Sequence, residues 1–209
     1  ISLASYPHIA DHLMFIKSVS EGLRAAVYSI SFFDDCSAHG GKEQIEFFSD
    51  LKDFYTGILK VYATVNGLRS VRKAIQVFGR DSITQGFVTD RSYRNLQAGT
   101  LFGGANEIVA QEVLDRLVNY KNGLLVESLV KQFASVDVYH AKSEAMSEAI
   151  GIWQDYIGGI IVLADDLKKD VGESNLQEEV DPRLSNLWAS RIVQLFGDTI
   201  VAYHLISIG

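Results

Sequence analysis

Cysteine is almost absent: Cys36 is the only one among 209 residues. An internal disulfide and a multi-cysteine zinc site are therefore excluded, and a lone thiol is compatible with a reducing compartment. Proline is nearly as scarce, with two residues, so long segments can stay helical with little to interrupt their hydrogen-bond ladders. No apolar run reaches the roughly 18 residues that a membrane-spanning helix needs, and no membrane span is expected. Cations are in deficit: 19 Lys and Arg against 26 Asp and Glu leave a formal charge of −7. Phosphate neutralisation needs clustered cations, so nucleic acid is not an expected partner. Ile1-Ser2-Leu3 carries neither an initiator Met nor a charged segment ahead of an apolar one. The chain reads as a piece of a larger protein with no signal peptide of its own, and a cytoplasmic location is expected.

What is present is ordinary for a folded chain: 47% apolar and 22% charged residues. After Ser5-Tyr6-Pro7, where Ser5 is placed to cap and Pro7 to occupy a first turn, Ile9, Leu13, Ile16, Val19, Leu23, Val27 and Ile30 fall three and four apart. That spacing predicts one face of an amphipathic helix. It should stop at His39-Gly40-Gly41, since glycine favours left-handed or open backbone. A second run, Ile45, Phe48, Leu51, Tyr55, Ile58, Tyr62, Val65 and Leu68, continues through Val71 and Ile75 to Phe78. Two such helices, Pro7 to Ala38 and Glu43 to Phe78, joined by a short glycine loop, must lie antiparallel.

The middle differs. Gly79, Gly86, Gly99, Gly103 and Gly104 punctuate it, and Asp90 to Asn95 is expected to form only a short helix. A new helix is predicted near Asn106, carrying Ile108, Val109, Val113, Leu114 and Leu117. Further helices are predicted over Leu124 to Ala134, from Val138 and Ala141 through Leu167, and from Pro182 with Leu184, Leu187, Trp188, Ile192, Leu195 and Phe196. Val171 to Asp181 is predicted as a polar loop. Strand-like alternation and repeats are lacking. The expected fold is all-α: an up-down bundle of long antiparallel helices with extra C-terminal helices. Phe47, Phe48, Phe54 and Tyr55 exceed what one helix seam needs, so an oligomer is expected.

Catalytic chemistry is hard to find by pattern. No Glu stands three residues before a histidine, as inward-facing di-metal sites require, and Asp137-x-x-His140 is the nearest approach. Asp34-Asp35-Cys36 with His39 sits at a helix end, where polar groups are solvated by default. Asp165-Asp166 and Glu178-Glu179 read as solvated charges, and Lys168-Lys169 is too small for a basic patch. No metal site is expected. Gly103-Gly104 is either a simple turn or a place of close approach to a ligand. Arg91 and Arg94, three apart on one face, are expected to pair with acids on a neighbouring element.

The loop also carries a motif. Gln76-Val77-Phe78-Gly79, then Thr84, then Arg91-x-x-Arg94, then Leu101-Phe102-Gly103-Gly104-Ala105-Asn106-Glu107-Ile108 resembles the C-terminal helical domain of acyl-CoA dehydrogenases. The family stretch runs Gln-Ile-His-Gly-Gly-Tyr-Gly-Tyr-Thr, then Arg-x-x-Arg-Asp, then Ile-Tyr-Glu-Gly-Thr-Asn-Glu-Ile, and aligns without a gap over residues 76–108. Tyr6-Pro7-His8-Ile9-Ala10-Asp11 and Glu21-Gly22-Leu23-Arg24-Ala25 resemble the paired helices that precede it. Leu195-Phe196-Gly197 is similar to a motif of the C-terminal extension that some members carry.

The resemblance implies two parts, residues 1–120 as the family's bundle and 121–209 as the extension packed on it. It implies a parent that binds FAD, acts on an acyl-CoA thioester and assembles as a dimer or tetramer. Gln76, Gly79, Ala105 and Glu107 would face the cofactor, and Phe102, Gly103 and Gly104 the substrate. The departures are as informative. The family's base, the Glu of Tyr-Glu-Gly-Thr, is Gly103 here. Its flavin-donating Thr is Ala105, and the second and third glycines of its glycine turn are Arg80 and Ser82. Two readings follow: a domain that closes a flavin site and builds an oligomer interface, with no catalytic residue of its own, or a degenerate helical module kept for assembly or regulation.

Overall fold

Pro7 opens the first long helix because its missing N–H falls where no intrahelical partner exists anyway. In a computed structural model that describes residues 2–119, 129, 133, 143–173 and 182–208, helix α1 spans Pro7–His39 and α2 spans Lys42–Phe78. Ser5 does not cap α1. It ends a short 3₁₀ turn, Leu3–Ser5, whose cap is Ser2, while the Tyr6 carbonyl takes the first helical N–H groups, from Ile9 at 3.0 Å and Ala10 at 2.9 Å. Gly40 follows α1 with φ −77°, extended rather than left-handed. Glycine is still required, since a Cβ there would stand 2.7 Å from the Cys36 carbonyl. Gln44 then accepts the Gly41 N–H at 3.2 Å and caps α2. Opposite ends of the two helices meet, as antiparallel packing demands. Lys73 pairs with Asp11 at 3.0 Å and Lys52 with Asp34 at 2.9 Å, and the Phe33 ring lies 5.2 Å from Tyr55 and 5.9 Å from Phe48.

Four more helices complete the described chain: α3 Val88–Gly99, α4 Asn106–Asn119, α5 Glu144–Glu173 and α6 Pro182–Ile208. Among the described residues no strand occurs, and no helix is long and apolar enough to cross a membrane. One core joins α1, α2, α4, α5 and α6. Leu51, Phe54, Tyr55, Ile58 and Val61 of α2 meet Val193, Phe196 and Ile200 of α6, with Val113 and Leu117 of α4 and Trp153 and Ile157 of α5 around them. Burying each large apolar side chain is worth about 1.5–3 kcal/mol. Phe54 packs edge-on against Phe196, so Phe54 and Tyr55, read above as surface for association, belong to this chain's own core; Phe47 stays exposed.

The buried face of α1 follows the predicted one in part. Ile9 and Val19 are buried and Ile16, Leu23 and Ile30 half-buried, but Leu13 and Val27 are exposed, and Gly22, Ala26 and Phe33, outside the predicted period, are buried. Small residues line that seam because α6 runs close by. Helix α3 has 12 residues and extends beyond both ends of the short helix expected over Asp90 to Asn95. The predicted helix from Leu124 to Ala134 lies outside the described residues except for Leu129 and Phe133. These are helical and buried, and Phe133 meets Trp153 at 6.0 Å and Tyr203 at 5.3 Å. Val138, Ala141, Asp137, His140, Glu178-Glu179 and residues 174–181 of the polar loop also lie outside them.

Three helix-interior glycines mark the closest crossings. A Cβ on Gly22 would stand 2.5 Å from Val201, one on Gly57 2.5 Å from Val113, and one on Gly197 2.1 Å from the Tyr62 ring. The Tyr62 ring cannot swing away freely, since its hydroxyl donates to Asp198 at 2.9 Å. Gly197→Ala is therefore expected to destabilise by about 1–3 kcal/mol through overpacking, against a helix-propensity gain of about 1 kcal/mol. Gly158→Ala, where a Cβ meets nothing within 4 Å, should show only that gain. Urea unfolding of both variants checks this.

His204 adds a pH dependence. It is 8% exposed, its Nε2 has no hydrogen-bond partner among the described residues, and it lies against the Tyr203 and Tyr55 rings. Burial holds its imidazole below the ordinary value of 6.5. The unfolded chain takes up this proton near that value and the folded chain does not. The associated stability is complete above it and is lost as pH falls toward the folded value, by at most about 1.4 kcal/mol per pH unit for one proton. Asp198, whose carboxyl burial holds above the usual range, acts in the opposite sense. Asp11 and Asp90, lowered by the hydrogen bonds from Lys73 and from the Gly86 N–H, lose their contribution only at more acid pH. The difference between wild type and His204→Phe in unfolding midpoint between pH 7 and 5 isolates the histidine, and the variant is expected to fall less.

Candidate functional site

Helix α2 stops at Phe78 because Gly79 turns left-handed, at φ +70°, while its N–H still bonds the Ile75 carbonyl. A 3₁₀ turn, Gly79–Ile83, follows. Ser82 is fully buried in it. Its hydroxyl donates to the Gly79 carbonyl, and the Thr89 hydroxyl donates to the Ser82 carbonyl at 2.6 Å, so the turn is held both from within and from α3. Gly86, at φ +85°, gives its N–H to Asp90 at 3.1 Å. Arg94 donates to the other oxygen of Asp90, also at 3.1 Å. Arg94 thus pairs on its own helix rather than with a neighbouring element. The Gly86 N–H, followed by Arg94, holds the Asp90 carboxyl below its usual range. Helix α3 then runs back along α2, with Leu96 against Gly67 and Gly99 against Thr64.

The second loop, residues 100–105, closes on itself and on α2. The Asn106 N–H bonds the Thr100 carbonyl at 3.0 Å. Gly103 and Gly104 are both left-handed, at φ +71° and +96°, and a Cβ on Gly104 would stand 2.9 Å from Val109. Lys60, on α2, donates to the Gly104 carbonyl and, at 2.8 Å, to the Asn106 side-chain oxygen. The Asn106 amide donates to the Thr64 hydroxyl at 3.0 Å. Asn106 is only 7% exposed, so these bonds satisfy an otherwise buried amide at the start of α4. Lys60 and Thr64 were missed as site residues by sequence reasoning. Their one signal is a spacing of four on a single face of α2, which many solvated pairs share.

The residues singled out from the sequence fall into two groups. Gln76 and Gly79 are exposed at the end of α2. Phe102, Gly103 and Gly104 are exposed in the second loop, Ala105 is half-buried, and Glu107 is exposed in the first turn of α4. Gln76 lies more than three turns beyond Thr64, roughly 18 Å along α2 at 1.5 Å per residue. The two groups therefore sit near opposite ends of α3, too far apart for one ring system to touch both. Position 103 offers no carboxylate. Glu107 stands in the first turn of α4. Arg80, in the first turn, is almost wholly solvent-exposed, 3.8 Å from Asp81. Among the described residues no three His, Cys, Asp or Glu side chains gather as metal ligands, and Asp34 is engaged by Lys52.

The arrangement is one of open backbone beside exposed apolar groups. A Cβ at Gly79 or Gly103 meets nothing within 4 Å. Phe78 and Ile83 are exposed at one end, and Leu101 and Phe102 at the other. Such surfaces can receive a flat or extended ligand but hold no proton-transfer group at position 103.

The family model for the acyl-CoA dehydrogenase C-terminal domain matches residues 2–118, more than half of the chain. Butyryl-CoA dehydrogenase of Syntrophomonas wolfei subsp. wolfei is 24% identical over 135 residues, a stretch that covers 64% of this chain and 22% of that protein. The chain thus spans about a fifth of the length of this curated relative.

Proposed function

The chain belongs to the acyl-CoA dehydrogenase family through that family's C-terminal domain, and from that membership we propose that it is the helical C-terminal part of a flavoprotein whose full form binds FAD and oxidises an acyl-CoA thioester. Residues 1–120 are read as the family's bundle and 121–209 as a helical extension packed on it. Gln76, Gly79, Ala105 and Glu107 line the cofactor side, and Phe102, Gly103 and Gly104 the substrate side. One observation carries this reading: the two glycines that the family motifs would need, Gly79 and Gly104, are present with left-handed backbone, and the backbone at Gly79 and at Gly103 is open. An exposed glycine backbone lets a flat ring or a phosphate approach where a side chain would block it. The roughly 18 Å between the groups suits contacts to different parts of an extended dinucleotide, or to two cofactors. FAD, when bound, would supply a hydride acceptor.

The chain's own residues would bind and shape the site without moving a proton at position 103. Removing a positioned base costs roughly 10²–10⁴-fold in rate. Gly103 and the exposed Arg80 favour the second reading, a degenerate module retained for assembly or regulation. Absorbance of the purified full-length protein separates the two: a bound flavin is expected, and a colourless protein supports the module. The second measurement is anaerobic flavin bleaching by acyl-CoA. A Gly103→Glu variant is expected to bleach at least 10²-fold faster than wild type, despite a backbone strain of about 1–2 kcal/mol at a left-handed position. Rapid wild-type bleaching that no other carboxylate explains overturns the assignment of a base-less loop.

The full protein is read as a cytoplasmic homo-oligomer, a dimer or tetramer. Supporting this, α1 exposes Met14, Tyr28 and Phe32 at 61%, 68% and 59%, apolar area that association would remove from water. Sedimentation is expected to show at least a dimer, and a pure monomer at high micromolar concentration counts against it.

A further inference from the structure

The loop between α3 and α4 holds a demanding backbone with almost no apolar anchor. Leu101 and Phe102 are 66% and 76% exposed, and a side chain on Gly103 would meet nothing within 4 Å. Two successive glycines are nevertheless held left-handed, a conformation that free glycine samples without preference. The ties that fix it are polar. One is the Asn106 N–H to Thr100 carbonyl bond. The others run through Lys60, which reaches the Gly104 carbonyl and the Asn106 oxygen.

We propose that Lys60 is the positioning residue of this loop: its ammonium bridges residues 104 and 106 and thereby sets the backbone of Gly103, Gly104 and Ala105. An ammonium suits the task because it has three donors on a flexible stem and can satisfy acceptors that do not lie in one plane. Bonds from a charged donor are also about twice as strong as neutral ones. The two acceptors flank Ala105, so fixing both leaves that residue little freedom. Lys60 makes no ion pair with a carboxylate among the described residues. Its attachment to the rigid middle of α2 makes the loop an extension of the core rather than a free surface segment. The consequence for a ligand rests on the flavoprotein reading above, whereas the positioning role itself does not.

The test uses amide hydrogen exchange on the full-length protein in its flavin-free form. Lys60→Met keeps the stem and removes the donors. Exchange of the hydrogen-bonded loop amides, Leu101 and Phe102 on the Ala98 carbonyl and Asn106 on the Thr100 carbonyl, is expected to rise about tenfold or more, as loss of a charge-assisted hydrogen bond implies. Amides of α1 and α6 should keep wild-type protection, and Lys60→Arg should largely restore the loop. Unchanged loop exchange overturns the proposal. So does a rise of equal factor in every helix, which would mark Lys60 as merely stabilising. If Lys60→Met does not fold, Lys60→Gln, which removes the charge and one of the three donors, carries the same comparison. Flavin retention is read separately. If wild type holds FAD, Lys60→Met is expected to bind it more weakly, and unaltered affinity together with unaltered loop exchange sinks the idea. A colourless wild type whose Lys60→Met loop exchanges fast overturns the flavoprotein reading and supports the positioning role.

Discussion

The Tyr62 ring lies where Gly197 has no side chain, and the rest of the fold depends on that contact. It lets α6 approach α2 closely enough for Phe196 to meet Phe54 edge-on and for Ile200 and Val193 to be fully buried. The hydroxyl of Tyr62 donates to Asp198, one residue beyond the glycine, so the ring that fills the gap is also tethered across it. One turn further along, Asn66 donates to Gln194 at 3.1 Å and accepts from Arg69 at 3.0 Å. The seam thus combines close ring packing with hydrogen bonds at Tyr62 and, one turn on, at Asn66, a pattern that fixes the register of two long helices better than apolar contact alone.

Helix α2 works on two sides. Positions 58, 62 and 66 face α6, while 57, 60, 64 and 67 carry α4, α3 and the glycine loop. Residues two apart on a helix point in nearly opposite directions, so Tyr62 and Lys60 serve different partners from one stretch of backbone. The core therefore supports the loop directly. Whatever holds α2 rigid against α6 also holds the Lys60 ammonium in place beside Gly104.

The glycine segments combine left-handed backbone with the absence of a carboxylate at position 103. Gly79, Gly103 and Gly104 all have positive φ, and Arg80 stands exposed beside Gly79. Shape in this region depends on backbone conformation and on the hydrogen bonds of Lys60, Thr64 and Asn106, within the part of the chain that the family model matches, residues 2–118.

Helix identity was legible in the chain itself. The three-and-four spacing, the two prolines at helix starts and the glycines between helices place α1, α2 and the start of α4 within a residue or two, since these are local effects of backbone and solvent. The glycine turn ahead of α4, at Gly103-Gly104, could also be read. The buried face of α1 was legible only in part: Ile9 and Val19 are buried as the period expects, whereas Leu13 and Val27 fit the period and are exposed, because the tertiary contact with α6 chose the small residues Gly22 and Ala26, which do not fit it. The roles of Gly197, Lys60 and Asn106 could not be read. A close crossing selects for the absence of a side chain, which leaves no hydrophobic period to detect. A clamp joining residues 60, 64, 104 and 106 exists only once α3 has folded back along α2 and brought positions more than forty residues apart within hydrogen-bond reach.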